Sequence, residues 1–317
     1  MSRTLRSAEA LLAAGLLPPE RAEAARAVAA RYAVAVTPHV AAAIERADDP
    51  IALQYLPDAA ELTTLPHETV DPTADAPFSP VKGVVHRYPD RALLKPLLAC
   101  PVYCRFCFRR EHVGPDGGLL SGAELDAAIA WFAATPAVKE AILTGGDPLM
   151  LSPRRLARIL DALEAIPHLE LLRIHSRVPV ADPSLVTGAL AAAVTRGKPL
   201  TICVHANHAR EFGGDAPAAL KRLHAAGATL LGQSVLLAGV NDSEAALEDL
   251  FRTMLRNRVK PYYLHQLDPA PGTARFRVPE ARGLALLAAL RGRVPGHAIP
   301  HYVVERPGGA GKVPVGG

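Results

Sequence analysis

Cysteine is scarce in this chain: its 317 residues contain four. So few cannot build a disulfide framework, and three of them, Cys100, Cys104 and Cys107, crowd into one stretch, CPVYCRFCFRR. Sparse, bunched cysteines predict a reducing, cytoplasmic setting and chemistry at one place. Long apolar runs are missing too. None reaches the ~20 residues that span a bilayer, so no membrane partner is expected. The opening MSRTLRSAEALLAAGLL sets arginine before an apolar run, but Glu9 interrupts it, no small-residue cleavage site follows, and Pro18-Pro19 leads into another helical pattern. It reads as a helix, not a secretion signal. Nor is there a large excess of one charge: 35 Lys+Arg against 31 Asp+Glu leave +4, spread along the chain. That predicts mild attraction for anionic ligands and no nucleic-acid footprint.

What is present has a clear order. Half of the residues are apolar, ordinary for a folded α/β chain. Residues 1 to about 45 are Ala-rich with helical spacing, split at Pro18-Pro19. Residues 48–82 are polar, Pro-rich and aperiodic, and predict an extended connector wrapping a surface. Then a rhythm begins. Apolar, strand-like runs at 92–98, 140–143, 169–174, 199–204, 229–236 and 261–266 are each followed by a loop and a helical pattern. Ser121 with Glu124 forms a capping-box pattern, Ser152-Pro153 and Asp182-Pro183 are cap-then-proline starts, and Asp215 and Ser243 are further candidate caps.

Six β–α units demand parallel strands, because each crossover needs a helix. They are too few for a closed eight-stranded barrel, leaving an open sheet or a partial barrel. The unusual residues fall after the strands: CPVYCRFC, TGGDP, HSRVP, HANH and QLDP follow the first, second, third, fourth and sixth. In parallel α/β folds the carboxyl-end rim is where ligands bind.

The spacing C-x3-C-x2-C admits three readings. It could hold structural zinc with His112 as fourth ligand, although the second cysteine knuckle usual in zinc sites is missing. It could be three buried thiols, although Arg105, Arg109 and Arg110 make the loop electropositive. Or three thiolates could hold a [4Fe–4S] cube by three irons, leaving the fourth open.

Together with HRYPDR (86–91), TGGDPLM (144–150), RIHSRVPV (173–180), HANHARE (205–211), GQSVLLAGVND (232–242), PYYLHQLDPAPGTARFRV (261–278) and PGGAGKVPV (307–315), this loop resembles the lysine 2,3-aminomutase family of the radical S-adenosylmethionine (SAM) superfamily. The resemblance runs from about residue 48 to the C-terminus. It implies a partial (β/α)6 radical SAM barrel at 83–300, an N-terminal helical extension with its connector at 1–82, and a tail at 301–317 that closes the active site. It implies an isomerase with a [4Fe–4S] cluster on Cys100, Cys104 and Cys107, SAM, and pyridoxal 5′-phosphate. Lys312 would be the Schiff-base lysine and Arg87 the phosphate-binding arginine, with Arg91 close behind. Gly145, Gly146 and Asp147 match the element that receives the SAM amino group. Ser176 and Gln233, with Arg177, His205 and Asn207, would line the SAM and pyridoxal sites.

The same resemblance assigns substrate contacts. Arg109 would clamp the α-carboxylate, and Asp268 and Glu305 would face a distal ammonium. The resemblance implies that the α-amino group of L-lysine moves to the β-carbon; Glu305 stands where the free-lysine enzyme has Asp, and the branch that prepares β-lysine for elongation factor P, or a radical SAM enzyme of another substrate, is the alternative. A small-molecule amino acid, an electron donor such as flavodoxin or ferredoxin, and a homo-oligomer are the implied partners. Long members continue with a zinc-binding, cysteine-bearing segment, and no cysteine follows Cys203, so their assembly is not implied here. Cys203 itself reads as a small buried apolar side chain.

Overall fold

A computed structural model describes residues 3–306 and 311–316. The opening residues of PGGAGKVPV, 307–310, lie outside that range. The N-terminal segment forms α1 (Ala8–Ala13), α2 (Ala22–Arg31) and α3 (Pro38–Ala43), with Ser7 and Thr37 accepting the cap hydrogen bonds of α1 and α3. Leu11, Ala25, Val36 and Val40 pack with Ile51 and Tyr55 into a satellite core.

The segment at 48–82 departs from the extended connector predicted for it. It contains α4 (Ala52–Tyr55) and one-turn helices at Ala59–Leu62 and Ala76–Phe78, and it buries Gln54, Tyr55 and Glu61 completely. The reason is electrostatic. Glu61 Oε2 accepts from Arg105 Nε at 2.9 Å and Arg105 Nη2 at 2.5 Å, and it also pairs with Arg110, both arginines belonging to the cysteine loop. Burial pushes the Glu61 carboxyl up, but Arg105 and Arg110 outweigh it and hold it below its ordinary range. A polar, aperiodic sequence thus enters the interior because its charges find partners there.

The sheet runs β1 (Val84–Tyr88), β2 (Arg91–Leu97), β3 (Glu140–Gly145), β4 (Leu171–Ser176), β5 (Leu200–His205), β6 (Thr229–Val235), β7 (Lys260–His265), β8 (His301–Glu305) and β9 (Lys312–Pro314), each strand beside its chain neighbour. Pairs from β2 to β8 are parallel; β1 and β9 are antiparallel edges. Strands β2–β7 are the six expected, in a curled, open half-barrel. Beyond them the sheet gains a seventh parallel strand from 301–305.

Alternation along the strands decides which face meets what. Leu94, Ala141, Leu143, Leu172, Ile174, Ile202, Val204 and Leu264 join the main core with the outer helices. Arg91, Ile142, Arg173, His175, Gln233 and Tyr263 turn instead to a lumen. The outer layer comprises α5 (Gly122–Ala133), α6 (Pro153–Glu164), α7 (Val178–Ala181), α8 (Gly188–Val194), α9 (Ala216–Ala225), α10 (Glu244–Arg256) and α11 (Glu280–Leu290). Ser121 and Glu124 form the expected capping box, and Ser152 and Ser243 cap α6 and α10. Asp182 and Asp215 make no side-chain cap bond. Among the described residues no helix is long and apolar enough to cross a membrane.

Glu61→Ala would leave two arginines buried without their counter-charge. The expected cost is about 3–5 kcal/mol, read as a lower urea midpoint at unchanged slope. A loss under about 1 kcal/mol would show that the ion pair does not hold the cysteine loop.

Candidate active site

The cysteine loop leaves β2 as a series of tight turns. Cys107 N donates to Cys104 O at 3.1 Å and Arg110 N to Cys107 O at 3.3 Å, while Arg105 N reaches back to Gln54 O at 2.8 Å. Phe106 anchors the loop inward, edge-on to Phe276 and His205 with ring centroids 6.1 and 5.8 Å away. The TGGDP turn docks on its entrance: Gly146 N donates to Leu97 O at 2.8 Å and Asp147 N to Ala99 O at 2.9 Å. Any side chain at Gly146 would collide with the Ala99 backbone, which is why glycine stands there.

Cys100, Cys104 and Cys107 are all free thiols. Burial pushes each of them up, Cys100 well above its ordinary range and Cys104 to about 11, and the neighbouring sulfurs push Cys100 further. These three lie close enough to feel one another, with Arg109, Arg110 and Arg177 favouring the thiolate of Cys107. Among the described residues no three His, Cys, Asp or Glu side chains converge on a single ion, and His112 is exposed. A tetrahedral zinc needs its ligands around one centre. A cube takes each cysteine on a separate iron, so three free cysteines on one loop match the donor set of a cluster.

Behind this loop the rim side chains bind one another. Asp147 accepts from Ser176 Oγ (2.7 Å), Arg177 N (2.7 Å), Val178 N (3.0 Å) and Leu149 N (3.1 Å). Burial raises its carboxyl against these four donors. In this structure the Asp147 and Ser176 side chains therefore tie the ends of β3 and β4 together. Arg177 and Asn207 belong to the same buried polar layer, and Gln233 is the one of that predicted set that lines the lumen.

The lumen opens into a cavity walled by Arg87, Tyr88, Arg91, Arg109, Asp75, Arg173, His175, Gln233, Tyr263, Glu305 and Lys312. Strand β9 brings Lys312 there. It pairs with β8 so that Lys312 stands opposite Glu305, with Nζ 3.0 Å from Glu305 Oε2. Lys312 N donates to Tyr88 Oη at 2.6 Å, and Gly311, with φ of 114°, lies where a side chain would strike the Tyr88 ring. Burial pushes the Lys312 ammonium below its ordinary range, against the pull of Tyr88 and Asp268.

Glu305 also pairs with Arg87. Arg109 Nη2 bonds Asp75 Oδ2 at 3.1 Å, and although burial pushes the Asp75 carboxyl up, Arg109 and Lys95 hold it low. Among the described residues Asp268 has no such partner, and burial raises it to about 6 despite the nearby Lys312, Arg109 and Arg87. The predicted residues Arg87, Arg109, Gln233, Glu305 and Lys312 are thus brought to one cavity, with Asp268 within electrostatic reach. Not anticipated were Tyr88, Asp75, Arg173, His175 and Tyr263. The polar residues alternating through LRIHS at 172–176 were the available signal for two of them.

Tyr88→Phe removes the acceptor of the Lys312 N–H. A loss of about 1 kcal/mol should appear as roughly fivefold faster amide exchange at Lys312. Unchanged exchange would remove Tyr88 as the anchor of β9.

The sequence matches the Radical SAM superfamily over residues 94–251. It is 38% identical over 301 residues to the L-lysine 2,3-aminomutase of Acetoanaerobium sticklandii, covering 94% of this chain and 73% of that one. It is 38% identical over 269 residues to the L-lysine 2,3-aminomutase of Escherichia coli, covering 84% and 78%. It is also 33% identical over 290 residues to the glutamate 2,3-aminomutase of Clostridioides difficile, covering 91% and 68%. The solved structure of native anSMEcpe with bound AdoMet and Cp18Cys peptide shares the fold, with a TM-score of 0.50 at 12% identity over 65% of this chain and 59% of that one.

Proposed function

Because the chain belongs to the lysine 2,3-aminomutase family of radical SAM isomerases, we propose that it moves the α-amino group of L-lysine to the β-carbon, giving β-lysine. The observation that supports this reading is a half-buried amine, Lys312, sharing one cavity with the guanidinium of Arg109 and with the carboxylate of Glu305.

Cys100, Cys104 and Cys107 would hold a [4Fe–4S] cluster, with SAM on its open iron beside Gly145, Gly146 and Gln233. Lys312 would attach pyridoxal 5′-phosphate, whose phosphate Arg87 and Arg91 suit by charge and planar geometry. Bound together, these groups supply a hydrogen-abstracting radical and a π-system that stabilises the migrating centre. The chain itself supplies placement. A lysine desolvated as Lys312 is carries less positive charge and is more nucleophilic than one in water. Arg109 orients the substrate carboxylate. Asp268 and Glu305 offer negative charge to an ammonium at the far end, and the walls of the lumen limit the water that reaches a reactive radical.

Glutamate as substrate fits less well. Its distal carboxylate would have to approach Asp268 and Glu305, and like charges repel at such range. The test is an anaerobic assay with reconstituted cluster, SAM, pyridoxal phosphate, and a panel of L-amino acids together with elongation factor P, reading β-amino acid products. Turnover of free lysine is expected. Turnover of glutamate alone would remove the reading, and modification of elongation factor P alone would move the substrate to the protein-linked branch.

The raised Asp268 group sets a pH dependence. Above about 6 it is ionised and can pair with the lysine ammonium; below, it is neutral and cannot. For free enzyme, kcat/KM for lysine should therefore fall on the acid side with an apparent pKa near 6. Asp268→Asn should abolish that limb and lower kcat/KM by about 30-fold or more, corresponding to roughly 2 kcal/mol for one partner of a buried charge pair. A limb unmoved in Asp268→Asn would assign it elsewhere.

A further inference from the structure

An arginine in the layer behind the cysteine loop is more than a spacer. Arg177 is buried, with its side chain 6% exposed. Its Nη2 donates to Glu211 Oε2 at 2.5 Å and to Gln54 Oε1 at 2.6 Å. The guanidinium is flanked by the rings of Tyr55 and Phe106, with centroids 5.0 and 5.3 Å away. So held, it directs Nη1 at Cys104 Sγ, 3.3 Å distant. The fixing residues come from unrelated parts of the chain: Gln54 from α4, Glu211 from the turn after β5, Phe106 from the cysteine loop itself. A guanidinium needed only to fill space would not require two acceptors on Nη2 that leave Nη1 facing a sulfur.

We propose that Arg177 is a positioning residue that sets the reduction potential of a cluster on Cys104. Donated hydrogen bonds and positive charge at a cysteine sulfur stabilise the more negative, reduced cluster and so raise its potential. Glu211 balances the arginine charge and fixes its direction, which lets a buried cation stand beside the loop without its full desolvation cost. The inference rests on the cluster reading above and is separable from it. A wild-type chain that takes up no iron and sulfide fails that reading; a full cluster whose potential ignores Arg177 fails only this one.

The test is an anaerobic redox titration by electron paramagnetic resonance, with a low-potential one-electron reductant, of reconstituted wild type, Arg177→Gln, Glu211→Gln and the double variant. Iron and sulfide content normalises each sample. The double variant matters because Arg177→Gln alone leaves Glu211 buried and unpaired; paired neutral amides of similar size avoid that. Removing Arg177, from wild type or from Glu211→Gln, should lower the reduced-to-oxidised ratio at fixed potential at least tenfold, about 59 mV for one electron. Glu211→Gln should titrate at or above wild type. Arginine-free clusters that titrate within tenfold of their parents would overturn the proposal. So would failure of both arginine-free chains to assemble a cluster, since the residue would then be structural only.

Discussion

The site depends on one short strand pairing. Three residues, Lys312–Pro314, add to the edge of β8 and set the Lys312 amine opposite Glu305. Without that pairing a lysine so near the chain's end, in a glycine-rich segment, would be a solvated charge. With it, the amine is desolvated against Tyr88, Glu305 and the lumen wall. The pairing also spans the gap of the open barrel: Arg87 and Tyr88 belong to β1, one edge of the sheet, and Glu305 and Lys312 to β8 and β9 at the other. The contacts that bring the two edges together are therefore made by residues of the candidate site.

An open half-barrel makes this possible because its inner face need not be apolar. A closed eight-stranded barrel fills its interior with branched side chains. Here Arg173 and Glu140 form a close ion pair inside, at 2.5 Å, and His175 stands beside them, its protonation strongly disfavoured by burial. A neutral imidazole and paired ions line a space that can receive a polar ligand, with part of the desolvation cost already met by the fold. The outer face carries the apolar half of each strand, and the helices cover it.

How much of this was legible in the sequence follows from the range of the forces involved. Local signals were readable: six strands, three serine caps and the rim position of the cysteine loop follow from periodicity and cap chemistry. Asp182 and Asp215 looked like caps and are not: Asp215 already has helical backbone, at φ −84° and ψ −3°, and Asp182 sits at φ −147° and ψ 70°, and neither side chain bonds its helix's first turn. Glu61 was invisible. Its carboxylate reaches arginines 44 and 49 residues away, and nothing in a polar, proline-rich stretch announces a buried ion pair. Asp75 on Arg109 escaped for the same reason. The strand at 301–305 was taken for tail because a five-residue run gives too little periodicity. Resemblance, not composition, singled out Lys312, since a terminal lysine carries no local sign of burial.

We propose that Lys312, rather than another amine, carries the pyridoxal cofactor. Lys95 is the instructive competitor: it too is partly buried, its ammonium is pushed down by burial and by Arg109, and it lies 3.9 Å from Asp75 at the edge of the same site. Borohydride reduction of the chain loaded with pyridoxal phosphate, followed by peptide mapping, reads the attachment point directly. A pyridoxyl group on Lys312 alone is expected; a label on Lys95, or none on either, would contradict that assignment.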